Sequence, residues 1–313
     1  MFGTMDPVIR ETLRGGDQRL SGKLGAFLYT RLRPGTLLTL SCGRDTGEFG
    51  TSPLDIVERE FHLFNRPVHW FFDATRVENA TAAVSEQWTT WLRANRGKLA
   101  QMHVLAATEE THLMIGIARH FSNSSNLLKL YSDRTAWTTA LLRSAPGLVS
   151  VPDLYGRLDE PAIAVSRNES VDRSVVLETS DCTWSFRPLT NGVIYTAFAG
   201  DDSGDLTNAA FDAMDSLIQS SLRKSHWFLN LRDARNVSAP VSQTWTEWLG
   251  ARQDRFARVT AYSPAPLFPL VLTVAKYRSG TDHLFDIYRD SQPFRADLIK
   301  ATSGELAASV GMA

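Results

Sequence analysis

Two aspartates recur in nearly the same triplet, Asp45-Thr46-Gly47 and Asp202-Ser203-Gly204, 157 residues apart. Two carboxylates that share a proton can activate water, so the first chemistry to weigh is hydrolysis by Asp45 and Asp202. Their surroundings argue against it. Gly43-Arg44 and Gly200-Asp201 precede the triplets and apolar runs of helical spacing follow, while Asp and Gly dominate tight turns on conformational grounds alone. The triplets therefore read as turns, with a ligand loop at Asp45 and Asp202 as the functional alternative and a hydrolase as the remote one. Of the seven histidines only His69 and His226 repeat, each beside a tryptophan, and no His-Glu-x-x-His spacing accompanies them. Asp73 becomes Asn230 and Arg76 becomes Asp233, so chemistry needing those charges survives in one half at most. With no nucleophile elbow, phosphate loop or dinucleotide fingerprint, no catalytic residue, metal or cofactor is expected.

Tryptophan and hydroxyl side chains form the second group of candidates. Trp88 and Trp91, and again Trp245 and Trp248, stand three apart and share a helix face. Such a face packs on a sheet more often than not, and becomes an interaction surface if a ring projects, since tryptophan is enriched at hot spots. Thr81, Ser85, Ser238 and Ser242 lie where that helix begins. There a hydroxyl caps free backbone N–H groups, and a phosphate would be electrostatically welcome.

The elements that position these residues are legible because each is written twice. Setting His69-Trp70-Phe71 against His226-Trp227-Phe228 brings Val84-Ser85, Trp88 and Trp91-Leu92 onto Val241-Ser242, Trp245 and Trp248-Leu249. Gly35, Gly43 and Gly47 meet Gly192, Gly200 and Gly204 in the same register, and no gap is needed from Gly35 onward. A period this long denotes domain duplication, since solenoid units run about 20–50 residues. Thr36 to Ser41 and Val193 to Phe198 read as strands, preceded by hairpin partners at Ala26 to Leu32 and Trp184 to Pro188. Leu54, Val57, Phe61 and Phe64 have helical spacing, answered by Phe211, Met214 and Ile218. Val68 to Asp73 and Trp227 to Leu231 suit a central strand covered on both faces. Beyond the tryptophan helix come a strand, a helix over Leu113 to Phe121 or Leu270 to Arg278, a strand, and a short helix with Trp137 or Phe294. The spacing of Leu270, Val274 and Tyr277 marks the penultimate helix.

The totals set limits. A chain of 313 residues can bury two cores, and 43% hydrophobic with 21% charged residues is globular composition. Lys plus Arg number 33 against 34 Asp plus Glu, which gives no electrostatic reason to expect nucleic acid. Cys42 and Cys182 preclude a disulfide framework, and Cys42 reads as a buried thiol. No segment has the length and apolarity of a signal peptide or a membrane span, so a cytoplasmic protein without membrane insertion is expected.

The order of elements and its ending resemble the STAS domain, the fold of anti-sigma factor antagonists and sulphate-transporter tails. The stretches that carry the resemblance are Arg258-Val-Thr-Ala-Tyr262, Leu284-Phe-Asp-Ile-Tyr-Arg-Asp-Ser291 and Phe294-Arg-Ala-Asp-Leu298. It covers about residues 26–145 and 184–301. The resemblance implies a protein-binding module switched by phosphorylation, with nucleotide or lipid binding in some members. The switch turn of that family reads like Asp-Ser-Ser-Gly; here Asn79 to Ser85 and Asn236 to Ser242 lack the aspartate and glycine, which points toward scaffolding or oligomerisation.

The expectation is an α/β chain of two tandem STAS-like domains, each a mostly parallel or mixed sheet of four to five strands with flanking helices. Residues 1–23 are read as an N-terminal extension, 24–145 and 174–302 as the domains, 146–173 as a linker, and 303–313 as a flexible tail. The functional expectation is a non-enzymatic signalling or scaffold module that binds a protein partner or itself. A sensor of a nucleotide or other small ligand is the alternative.

Overall fold

Parallel strands cannot be joined by tight turns, so a chain that alternates strands and amphipathic helices must cross over its sheet at every step. The computed structural model describes residues 8–148, 150–170 and 173–303. It divides into two compact units, one holding residues 8–13 and 17–162, the other residues 14–16 and 163–303.

The sheet of the first unit contains β1 (Ile9–Thr12), β2 (Gln18–Ser21), β3 (Gly25–Arg33), β4 (Thr36–Asp45), β5 (Val68–Ala80), β6 (Leu99–Leu105) and β7 (Leu128–Tyr131), in that spatial order. The strands β1 to β4 pair antiparallel and β4 to β7 pair parallel. The crossovers are α1 (Ser52–Phe64), α2 (Ala82–Asn95) and α3 (Glu109–Phe121), and α4 (Arg134–Ser144) follows β7. A short helix, α5 (Leu154–Arg157), completes the unit. The second sheet repeats the order and the sense of every pairing with β8 (Ser166–Glu169), β9 (Val175–Glu178), β10 (Cys182–Pro188), β11 (Val193–Asp202), β12 (Ser225–Val237), β13 (Phe256–Tyr262) and β14 (Phe285–Tyr288). Its helices are α6 (Thr207–Ser220), α7 (Ala239–Ala251), α8 (Leu267–Arg278) and α9 (Ser291–Ser303). The protein is thus α/β, with two mixed sheets of seven strands and flanking helices. The strand β1 and its counterpart β8 start 157 residues apart, so the duplication reaches back to residue 9, ahead of the expected domain start at residue 24.

Strand alternation sends neighbouring side chains to opposite faces. Trp70 and Phe72 of β5 enter a core with Val57 and Phe61 of α1 and Trp91 of α2. Phe71, between them, enters the opposite core with Trp137 and Leu141 of α4 and Leu154 of α5. Burial on both faces explains why Val68 to Asp73 reads as one continuous apolar run. Helix α1 opens with a proline in its first turn and closes at Asn65, whose φ of 44° is the left-handed cap that asparagine tolerates.

Three expectations need correction. Seven strands replace four to five, because two short strands, the outer one at the sheet edge, precede the hairpin in each unit. Residues 9–12 and 18–21, read as part of an extension, are sheet strands, and Leu20 is fully buried. The span 146–173 is not a plain linker: β8 belongs to the second sheet, and the segment around α5 is bonded to the first unit. There Arg157 pairs with buried Asp17, Arg19 donates to the Glu160 carbonyl at 2.8 Å, and the Tyr155 hydroxyl donates to Asp73 Oδ1 at 3.0 Å. The tail, 304–313, lies outside the described residues.

Because β2 is part of the core, Leu20→Ala should lower unfolding stability by about 2–5 kcal/mol, against less than about 0.5 kcal/mol for Ile9→Ala on an edge strand. Urea denaturation would measure both, and a negligible Leu20→Ala effect would restore the reading of residues 1–23 as an appendage.

Candidate functional site

The central-strand indoles donate to the neighbouring strand, whereas the buried Nε1 atoms of Trp245 and Trp248 on α7 have no hydrogen-bond partner. Trp70 Nε1 on β5 donates to Thr39 Oγ1 on β4 at 2.8 Å, and Trp227 Nε1 on β12 donates to Thr196 Oγ1 on β11 at 2.9 Å. The next helix then packs on that ring. Trp88 stacks on Trp70 with centroids 5.6 Å apart, and Trp91 meets it edge-on at 5.8 Å. Trp245 and Trp248 hold the same positions around Trp227, at 6.0 and 6.2 Å. Trp91 and Trp248 are buried, and half-buried Trp88 and Trp245 turn their rings to the sheet. The tryptophan pairs offered as an interaction surface therefore form the packing face of the helix.

The exposed apolar face is one helix later. Leu113, Ile117 and Phe121 of α3 are exposed, as are Leu270, Val274 and Tyr277 of α8. The helical spacing in the sequence marks the element correctly, but the residues with that spacing point outward. Inward, Met114, Ile115 and Ala118 of α3, with Val271, Leu272 and Ala275 of α8, roof a cavity.

Each unit has this cavity, of about 90 Å³ in both, lying between the sheet and its second and third crossover helices and partly open to solvent. Ser85, Trp88, Leu92 and Ala118 line the first; Ser242, Trp245, Leu249 and Ala275 line the second at the same register. Other walls have changed. Ala74, Thr111 and Leu128 give way to the larger Leu231, Phe268 and Phe285, while Phe72 and Met114 give way to the smaller Leu229 and Val271. On balance the second wall carries the larger side chains, and a cavity of the same size remains. Neither wall contains Lys or Arg among the residues that line it.

The aspartate turns stand at the end of β4 and of β11. Gly47 N–H donates to Asp45 Oδ1 at 3.0 Å, and Gly204 N–H donates to Asp202 Oδ1 at 2.9 Å. The backbone carbonyls of Asp45 and Asp202 accept from Thr81 and Ser238 N–H at 3.1 Å, which ties each turn to the start of α2 or α7. A bulge at Gly43 and Gly200 makes this possible: both have positive φ, and a Cβ at either would collide with a backbone carbonyl of the preceding strand connection. Asp45 is half-buried and lines the first cavity; Asp202 is buried. Burial raises the pKa of both carboxyls, opposed by the glycine N–H in each turn.

Thr81 is exposed at the N-cap of α2, where its hydroxyl accepts from Val84 N–H at 3.4 Å, whereas Ser238 at the same position of α7 makes no side-chain cap bond. Ser85 and Ser242, one turn on, face the cavities. His69 and His226 are half-buried, their Nδ1 atoms lack a partner, and burial lowers their pKa, helped by Arg33 and Arg258 respectively. Asp73 is a structural acceptor, bonded to Thr75, Tyr155 and Arg134. Cys42, expected to be buried, is half-buried because it lies just before the Gly43 bulge.

No family model matches the chain, and no curated protein matches it. Among solved structures, an uncharacterized protein of the DUF3478 family from Shewanella loihica PV-4, with a SpoIIAA-like fold, is similar at 14% identity, covering 39% of this chain and 98% of that one, with a TM-score of 0.31. Among the described residues, no helix is long and apolar enough to cross a membrane.

The cavity wall rests on the indole bonds. Thr39→Val keeps the shape but strands the Trp70 N–H, and should cost about 1–3 kcal/mol, as should Thr196→Val for Trp227. Denaturant unfolding of each variant checks this; losses below about 0.5 kcal/mol would show that the indoles do not depend on these bonds.

Proposed function

We propose that the chain is a non-catalytic tandem binding module of STAS-like architecture, each domain of which takes a small apolar ligand between its sheet and its second and third crossover helices. One observation carries the reading. The two halves have diverged at most positions of the cavity wall, and the second carries larger side chains there on balance, yet about 90 Å³ stands at the same register in both. A tightly packed interior tends to fill such space, because unfilled volume costs stability. Pockets with apolar walls suit small apolar molecules, and these are open enough to admit them.

The lining favours an apolar molecule over a nucleotide. A phosphate would need basic side chains or a cluster of amide donors, and the walls offer neither Lys nor Arg. The turn aspartates support binding rather than hydrolysis, since each carboxylate is engaged by its own turn. A protein-interaction role is the second reading, favoured by the exposed apolar rows on α3 and α8, the helices that roof the cavities.

Benzene added to the full chain should raise its melting temperature, because a ligand that binds only the folded state stabilises it by mass action. Ala118→Phe and Ala275→Phe would each fill one cavity and remove part of that rise, and the double variant should remove it all. Absence of any rise, or a rise that survives both substitutions, would refute the ligand reading. A partner retained by the double variant, and lost on Leu113→Glu with Leu270→Glu, would favour the interaction reading instead.

A further inference from the structure

Single exposed apolar side chains are ordinary on a protein surface, whereas several in a row on one helix call for a cover. Among the described residues, Ile9, Leu24, Leu222 and Ile299 stand on separate segments, and every other exposed large apolar side chain lies on α3 or α8. Leu113, Ile117 and Phe121 follow at intervals of four, and Leu270 and Val274 repeat that spacing with Tyr277 beside them. Intervals of four keep side chains on one face of a helix, so each unit presents a continuous apolar row to solvent. Leu113 and Leu270 occupy equivalent positions and are 67% and 62% exposed. A row that faces only water gains nothing from leucine, yet both halves keep it where most of the helix has changed.

The two rows differ at their ends, and the difference is complementary. One turn before Leu113 the first row begins with exposed Glu109, where the second has Pro266. One turn after Val274 the second row ends with exposed Arg278, where the first has Phe121. Laid antiparallel, α3 and α8 set Glu109 opposite Arg278 and Phe121 opposite Pro266, with the aliphatic residues matched between them. That direction also sets the helix dipoles against each other favourably. Pairing like with like lacks this match. Antiparallel α3 on α3 sets Glu109 against His120 and Phe121, and α8 on α8 sets Arg278 against Pro266. Only the mixed pairing joins a carboxylate to a guanidinium at the end of an apolar seam, the arrangement by which paired helices select partner and direction.

Resting on the interaction reading rather than on the ligand, we infer that the chain associates with a second copy of itself, α3 of one chain lying antiparallel on α8 of the other. Each copy carries one acid-ended and one base-ended row, so two copies are complementary without a foreign partner.

Sedimentation equilibrium of the full chain at low salt, from low to high micromolar concentration, reads the association. The mass should rise with concentration above that of one chain. Glu109→Arg and Arg278→Glu should each weaken association about threefold to tenfold, the scale of an exposed ion pair turned to repulsion, and the two combined in one chain should restore it. Leu113→Glu should abolish association, because it sets a carboxylate in the apolar seam. All three positions are exposed, and circular dichroism checks that each variant keeps its fold. A mass of one chain at every concentration, association indifferent to Leu113→Glu, or a double reversal that fails to restore it would overturn the inference. A chain that stays single yet binds a foreign partner, lost on Leu113→Glu with Leu270→Glu, would sink self-pairing and leave the interaction reading standing. With neither kind of association, that reading falls as well.

Discussion

A tryptophan pinned between two parallel strands is the constraint from which each domain is built. Each central-strand indole donates to the neighbouring strand, Trp70 to Thr39 and Trp227 to Thr196, a bond whose loss would cost on the order of 1–3 kcal/mol. That bond fixes the ring against the sheet. The fixed ring then determines where the next helix can lie, because Trp88 and Trp91, or Trp245 and Trp248, stack and abut on it at centroid distances of 5.6 to 6.2 Å. Beside these rings the helix and the sheet leave a space. The third crossover helix closes over that space with side chains too short to fill it, Ala118 and Ala275 among them. A cavity is the consequence.

Much of this was legible in the sequence, and what was not has physical causes. The central strand, the tryptophan helix and the duplication were readable because long apolar runs and repeated rare residues survive divergence. The edge strands were not, because β1 and β8 are four residues each, mostly polar and largely exposed, and an edge strand needs no apolar pattern to pair. The inward face of α3 and α8 was not legible for a different reason. These helices are apolar on both sides, so periodicity identifies the helix without saying which side is inside. The cavity lies on the side that the pattern did not favour. The aspartate turns at the strand ends were legible in the sequence, but the asymmetry between them was not. It depends on residues 27 and 184, far from either triplet in sequence.

Duplication gives each domain an internal comparison. Where both copies keep a feature by different means, as in the cavity volume, geometry demands the outcome rather than any one side chain. Where they differ, as in the Trp184 indole bonded to Asp202 and the Phe27 ring beside Asp45, the fold tolerates the exchange. The backbone turn is unchanged, with Gly47 and Gly204 serving their aspartates at 3.0 and 2.9 Å. Only the donor has been exchanged.

The most direct measurement is a crystal of the full chain soaked in bromobenzene and examined by anomalous scattering. Two bromine peaks should appear, one among Trp88, Met114 and Leu128 and the other among Trp245, Val271 and Phe285. Anomalous density confined to the exterior of the helices, with both interior positions featureless, would contradict a protein built to hold small apolar ligands.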